Sequence, residues 1–451
     1  MNILRPLASD HFSIIVGLGK TGYSCARYLA AQGQYFAVAD SRSTPPLLAT
    51  MQQEMPDVPV YLGAFDPDLF CRASQLIVSP GVSRRETAII AAEQTGVLIR
   101  GDIDLFARQL QAPLVAITGS NAKSTVTSLL GAMVARSGLQ VALGGNLGCP
   151  AMDLLEQDAT DLYVLELSSF QLETTTDLGA SVATILNITP DHMDRYTDFS
   201  EYHAAKQRIF QGCKHAVINL DDALVRPLLP IAVKVTGFTM GTPDLNHYGI
   251  CQYQGQAWLA FGHKHLLPVS DIAMFGQHNV ANALAALALG AAAGLPLPPM
   301  LDCLRSFTGL AHRCQKVRIL HKVTYVNDSK GTNVGATLAA INGLMQGLSG
   351  KVVLIAGGDG KGANFSPLGQ AMASWGRAAV LIGRDGPRLE TALDSHVPTC
   401  RAIDLKEAVN RARKLACPGD LVLFSPACAS FDMYDSYEQR GDIFTACVKS
   451  L

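Results

Sequence analysis

The sequence predicts an α/β protein of three domains built on parallel sheets. Three observations carry that reading. Short apolar runs recur along the chain, each followed by a glycine turn and a helix-like segment. Strands that alternate with helices in this way pair into parallel sheets. The chain has 451 residues, too many for one apolar core. Its composition, 48% apolar and 16% charged, is that of a folded globular chain.

The elements follow in order. Residues 13–16 and 36–39 form the first two strands, and 76–78 another, which leads into Ser79-Pro80-Gly81. Between the first two lies Gly17-Leu18-Gly19-Lys20-Thr21-Gly22, and Asp40 closes the second. That is the dinucleotide fingerprint of a Rossmann-like domain. On these residues alone a nicotinamide cofactor stays open, and so does a plain tight turn. Gly101-Asp102, ahead of a helical stretch and Pro113, marks a boundary; Thr308-Gly309 marks another. The domains are therefore 1–101, 102–309 and 310–451. The second holds strands at 114–117, 162–167, 184–188 and 217–219; the third holds them at 323–326, 352–356, 379–382 and 421–424.

Charge and cysteine usage exclude several classes. A net charge of -2 gives no electrostatic case for nucleic acid or an anionic membrane as partner. The 11 cysteines are odd in number and scattered, without a CxxC pair. They fit reduced thiols in a cytoplasm better than a disulfide framework or a cysteine zinc site. The N-terminus runs into the first strand with no apolar core and cleavage site, so no signal peptide is expected. Residues 283–297 are apolar but short, rich in Ala and broken by Gly290 and Gly294. A buried helix is expected there, with no membrane insertion.

The chemistry concentrates in the middle domain. Gly119-Ser120-Asn121-Ala122-Lys123-Ser124-Thr125 joins a strand to a helix. Such a loop aims backbone N–H groups and the helix dipole at an anion. Lys123 would bridge outer phosphate oxygens and Ser124 would ligate Mg²⁺. For the loop alone, an exposed turn with an ordinary lysine is the plain alternative. Ala122 stands where such loops usually carry glycine; if φ is positive there, its Cβ costs on the order of 1 kcal/mol. Glu166, at the end of the 162–167 strand, is placed to reach a cation held by Ser124. His192 lies in a dense polar cluster, residues 187–196, just past a strand. Lys206, on a helix over 202–210, reads from spacing as an ordinary helix lysine. In the third domain, Gly357 to Gly362 offers Lys361 in a glycine-rich loop, and the 425–432 segment follows a strand in the same way. Cys428, in that segment, reads as a small buried residue.

Nine motifs in this order, GSNAKST, LELSSFQLE, NITPDHMDRY, AAKQRIF, GQHNVANALAA, HRCQ, NDSKGTN, GGDGKG and SPACASFDMYDSYEQRG, resemble the Mur ligase family, which builds the peptide of bacterial peptidoglycan. The resemblance covers essentially the whole chain. It implies a Rossmann-like N-terminal domain for a UDP-linked substrate, a central P-loop parallel-sheet domain for ATP, and a Rossmann-like C-terminal domain for an amino acid. It further implies an ATP-dependent ligase that couples UDP-N-acetylmuramoyl-L-alanine to D-glutamate through an acyl phosphate. By this resemblance ATP lies on Gly119, Ser120, Asn121, Ala122, Lys123, Ser124 and Thr125. Asn279 and Asn282 take the adenine side, and Arg313, Asp328 and Lys330 close over the nucleotide. Two Mg²⁺ are implied, one on Ser124 and Glu166, the other on His192 and a carbamylated Lys206. Lys123, Glu166, His192 and Lys206 are thus the implied catalytic set. Lys20, Thr21, Asp40, Ser41, Arg42, Gly81 and Asn146 would hold the UDP-linked substrate. Thr332, Lys361, Ser430, Phe431 and Tyr437 would surround D-glutamate. A cytoplasmic monomer whose third domain closes over the second is expected. The rivals are a sister ligase for L-alanine or a diamino acid, a folylpolyglutamate synthase, a nucleotide sensor that has lost activity through Ala122, and a dehydrogenase using the first domain.

Overall fold

Buried apolar runs that end in glycine or a polar residue organise the chain into three sheets. The computed structural model describes residues 12–157, 159–345 and 349–451. The reading of residues 1–11 as carrying no leader lies outside the described residues.

The first sheet contains β1 (Ser13–Val16), β2 (Phe36–Asp40), β3 (Val60–Leu62), β4 (Gln75–Val78) and β5 (Leu98–Arg100). Their order is β3-β2-β1-β4-β5, all parallel. The direction of winding reverses between β1 and β4, and the ends of such strands form the crevice where ligands bind in this fold. Ser79 Oγ donates to the Gly17 carbonyl at 2.9 Å across that crevice. The helix Lys20–Ala31 starts so close to β1 that a Cβ on Gly22 would stand 1.9 Å from the Gly17 oxygen. Only glycine fits there.

The second sheet has nine strands: β6 (Leu114–Thr118), β7 (Val141–Gly145), β8 (Leu162–Glu166), β9 (Val182–Ile185), β10 (His215–Asn219), β11 (Lys234–Phe238), β12 (Tyr248–Tyr253), β13 (Gln256–Phe261) and β14 (Lys264–Pro268). They run in the order β14-β13-β12-β11-β10-β9-β6-β8-β7. The expected parallel sheet needs one correction, because β13 runs antiparallel to both β12 and β14. Gln254 and Gly255 both have positive φ (51° and 73°) between the paired Tyr253 and Gln256. That geometry suits a two-residue hairpin. The strands themselves carry Gln, His and Lys without clean alternation, so their period is weak in the sequence.

The third sheet comprises β15 (Gln315–Leu320), β16 (Val323–Asn327), β17 (Val352–Gly357), β18 (Gly376–Ile382), β19 (Thr399–Arg401) and β20 (Leu421–Phe424). Their order is β15-β16-β20-β17-β18-β19, parallel except for β15. Residues 283–292 of the expected 283–297 helix fall in the buried helix Gln277–Ala292, which ends before Gly294 (φ 88°); the rest is the turn into Leu297–Ser306. No described helix is long and apolar enough to cross a membrane.

Packing ties the units unequally. One cluster of buried side chains joins Ile15, Leu18, Leu29 and Ile77 of the first unit to Phe106, Leu154, Leu165 and Ile185 of the second. The third sheet has two clusters of its own; among the described apolar side chains, Phe275 is the one from the middle unit that joins them, and the helix Gln277–Ala292 packs on Val334–Met345 beside it, His278 against Gly343. Replacing Gly22 with Ala forces the helix Lys20–Ala31 off β1. A loss of about 1–3 kcal/mol is expected, read as a lower urea midpoint; an unchanged midpoint would show that the approach is not tight.

Candidate active site

Several strand ends of the second sheet open onto one cavity of about 490 Å³, at Ser120, Glu166, Asn187 and Asn219. After β6 the chain turns through Gly119 to Ala122, and the helix Lys123–Arg136 begins without a side-chain cap. No side chain therefore competes for its first N–H groups, which are left for a ligand. Ala122 has φ 67°. The expected strain on its Cβ is present, on the order of 1 kcal/mol.

The loop is pinned from the β9 side. Ser120 N–H donates to the Asn187 carbonyl at 2.9 Å, and Asn121 N–H to Asn187 Oδ1 at 2.8 Å. Ser120 Oγ donates to the Thr189 carbonyl at 2.8 Å, accepts from Thr189 N–H at 2.9 Å and lies 2.8 Å from the Tyr202 hydroxyl.

Two lysines meet behind the loop. Lys123 Nζ donates to the carbonyls of Gly119 and Ser120 at 2.8 and 3.0 Å. Lys206 Nζ donates to the same Gly119 carbonyl at 2.9 Å, on a side chain that is 2% exposed. Burial lowers the Lys123 pKa. Burial, then the nearby Lys123, pushes Lys206 well below the ordinary lysine range. A lysine in that position favours the neutral amine.

Facing them, Glu166 is 2% exposed at the end of β8. Its Oε1 accepts from Asn146 Nδ2 at 2.6 Å, while Oε2 is buried with no partner. An unpartnered carboxylate oxygen is costly unless a cation sits beside it. His192, with φ 57°, packs its ring edge-on to Phe170 at 4.9 Å. Burial lowers its pKa more than Asp191 raises it, which leaves a neutral imidazole able to ligate a cation. Among the described residues, no three His, Cys, Asp or Glu side chains gather as a metal site. A cation here would take its remaining ligands from phosphate oxygens and water, as Mg²⁺ does. The donors present fit that ion.

The third unit supplies the opposite wall. Arg313 Nη2 donates to Ser124 Oγ at 2.7 Å. Asp328 accepts from Ser425 Oγ at 2.6 Å and Cys314 N–H at 3.1 Å, and burial raises its pKa to about 6. Lys330 lies 4.0 Å from the Tyr437 ring centroid, its pKa lowered to about 8, chiefly by burial. Thr125, Asn146, Asn279, Asn282, Thr332 and Lys361 also line the cavity. Asn282 Nδ2 donates to Asn279 Oδ1 at 2.9 Å, so the two amides act as a pair.

Other residues singled out in the sequence lie elsewhere. Lys20, Thr21, Asp40, Ser41, Arg42 and Gly81 follow the ends of β1, β2 and β4 in the first sheet. Asp40 accepts from Leu18 N–H at 2.7 Å and from Arg42 at 2.7 and 2.9 Å, so it shapes the glycine loop itself. Ser430 is buried and not part of the cavity wall, Tyr437 lies against Lys330, and Phe431 is 77% exposed.

Comparison with known proteins agrees with this geometry. The model of the Mur ligase middle domain matches residues 117–290, that of the MurD-like N-terminal domain 11–101, and that of the Mur ligase glutamate ligase domain 312–428. The chain belongs to the Mur ligase family. The UDP-N-acetylmuramoylalanine--D-glutamate ligase of Pseudomonas aeruginosa is 54% identical over 445 residues, 99% of each chain. The enzyme of the same name from Marinobacter nauticus is equally similar, 54% over 445 residues and 99% of each chain. Among solved structures, the MurF ligase of Thermotoga maritima in complex with ADP shares the fold, with a TM-score of 0.62 and 16% identity over 97% of this chain and 95% of that one. MurF from Acinetobacter baumannii does so with a TM-score of 0.60 and 16% identity, over 97% and 90%.

Within this Mur ligase, sequence reasoning missed the residues that hold the named ones. Asn187 and Tyr202 pin the phosphate loop. Asn333 Nδ2 donates to Asp191 Oδ2 at 3.0 Å and so ties the third unit to the loop carrying His192. Asn187 and Asn333 fall inside the motifs quoted above and Tyr202 lies two residues before one, but hydrogen-bond partners distant in sequence leave no local pattern. Ten described non-glycine residues have positive φ, and four of them, Ala122, His192, Cys314 and Lys361, line the cavity; strain of this kind gathers where a site is over-determined. Ala122→Gly should relieve it, raising stability by about 1 kcal/mol in chemical denaturation, with ATP affinity retained. A destabilised variant would mean that the left-handed backbone is not under strain.

Proposed function

We propose that this chain joins D-glutamate to UDP-N-acetylmuramoyl-L-alanine at the cost of ATP, through an acyl phosphate, releasing ADP and phosphate. The observation that carries the proposal is the meeting, in one cavity, of an uncapped helix start, Lys123, the unpartnered Glu166 oxygen and Lys206, with Arg313 and Lys330 opposite. Residues 1–101 bind the UDP-linked substrate, 102–309 bind ATP and 310–451 bind the amino acid. The cytoplasm is its place of work, where 11 free thiols stay reduced. Every group the site uses comes from one chain, so a monomer suffices.

The triphosphate rests on the N–H groups of residues 119–125. Lys123 turns from its own loop's carbonyls to the outer phosphates, exchanging one set of acceptors for a more negative one. Arg313 leaves Ser124 Oγ, freeing that hydroxyl. Asn279 and Asn282 take the adenine. Ser124 and Glu166 would hold one Mg²⁺, and His192 and Lys206 would hold a second. Bound there, the ions would offset the repulsion between a carboxylate and the γ-phosphate. For its part, Lys206 must become an oxygen donor. Its neutral amine can attack CO₂, forming an N–C bond and losing a proton to water, which leaves an anionic carbamate. Thr332, Lys361, Ser430, Phe431 and Tyr437 receive D-glutamate, with Lys361 facing a carboxylate. The wall built by Arg313, Asp328, Lys330 and Asn333 keeps water from the acyl phosphate.

Phosphate release with UDP-N-acetylmuramoyl-L-alanine, ATP and separate D- and L-amino acids tests the reaction. D-Glutamate should be strongly preferred and Lys123→Ala should abolish release; a preference for L-alanine or a diamino acid would refute the assignment. For the lysine, ¹³C-labelled bicarbonate should give a carbamate resonance in the wild type that Lys206→Ala lacks. A spectrum without that resonance in the wild type would rule out the modification.

A further inference from the structure

Arg195 binds two units and an aromatic ring at once. Its Nη1 donates to the Pro80 carbonyl at 3.3 Å; its Nη2 donates to the Val82 carbonyl at 3.0 Å and to Glu173 Oε2 at 3.2 Å. The guanidinium carbon lies 4.5 Å from the centroid of Phe170, whose ring meets His192 edge-on. The side chain is 15% exposed and forms no part of the cavity wall. Pro80 and Val82 flank Gly81, at the ligand end of β4. In a trans peptide the C=O and the following N–H point in opposite directions, and the described chain has no cis bond. Drawing two carbonyls toward Arg195 therefore turns the N–H groups of Gly81 and Ser83 away from the junction.

We propose that Arg195 is a positioning residue for the UDP-linked substrate, fixing the 79–82 loop of the first unit against His192 through Phe170. The inference rests on the ligase reading above and deepens it. One end of the substrate is held by the first sheet and the other reacts beside His192, so both must keep one separation. Arg195 spans that junction from the middle unit. A planar guanidinium can serve three acceptors and lie on a ring at once, whereas an ammonium on a flexible stem cannot. Arginine is therefore required by geometry as well as by charge.

The test is steady-state kinetics of Arg195→Lys and Arg195→Ala, varying each substrate in turn, with the melting temperature recorded. Both variants should raise KM for UDP-N-acetylmuramoyl-L-alanine about tenfold or more, with KM for ATP within about twofold. The lysine variant keeps the charge and a folded junction, so it carries the test if the alanine variant does not fold. An unchanged KM for the UDP-linked substrate, or equal increases for it and ATP, would overturn the proposal. A wild-type enzyme that makes no product from D-glutamate would instead overturn the ligase reading, and the two failures are distinct.

Discussion

Two ammonium groups meet one carbonyl oxygen, and the site follows from that crowding. Gly119 O accepts from Lys123 at 2.8 Å and from Lys206 at 2.9 Å. Two full charges so close to each other in a low-dielectric interior repel strongly. The more deeply buried lysine is the one that gives way. Both line the cavity, and burial biases Lys206, over the Tyr202 ring, toward its neutral form. Tyr202 in turn contacts Ser120, so the helix Phe199–Gln207 both buries the lysine and braces the phosphate loop. Removing that helix's grip would disturb both at once.

The backbone is bent to make this possible. Left-handed conformations at Ala122, His192 and Lys361 each carry a cost that the surrounding hydrogen bonds offset. Asn187 holds Asn121 in place, Asp191 Oδ1 accepts from His192 N–H at 2.9 Å, and Asp359 Oδ1 accepts from Lys361 N–H at 3.0 Å. In each case a short polar side chain stabilises a turn that the residue type alone disfavours. At Glu166 one carboxylate oxygen is satisfied by Asn146 and the other is buried without a partner.

Much of the fold was legible because parallel strands buried on both faces read as plain apolar runs. Residues such as Val115, Ile117, Leu354 and Leu423 announce their strands without help. The 248–268 hairpins were not legible, since half-exposed strands with Gln, His and Lys blur the alternation. Of the site, Lys123 and Ser124 follow from a loop with its own physics, and Glu166 follows from its place at a strand end. Lys206 does not: its chemistry comes from burial and from Lys123, 83 positions away in sequence. Motif order supplied it, along with Asn279 and Asp328. Asn187 and Asn333 escaped both routes, because what they hold lies on other strands and loops.

The unequal packing between the units decides where the protein yields. Pulling the first sheet from the second would bare Leu18, Ile77, Leu165 and their neighbours to water, an area penalty that thermal motion does not meet. Parting the third unit from the second breaks the bonds of Arg313 to Ser124 and of Asn333 to Asp191 and separates the helix Gln277–Ala292 from Val334–Met345, a more polar seam. The cavity borders this more polar seam, with the apolar one on its other side. A guest in the cavity would meet Arg313, Lys330 and Asn333 across that seam, so its charge and the seam's strength would be linked.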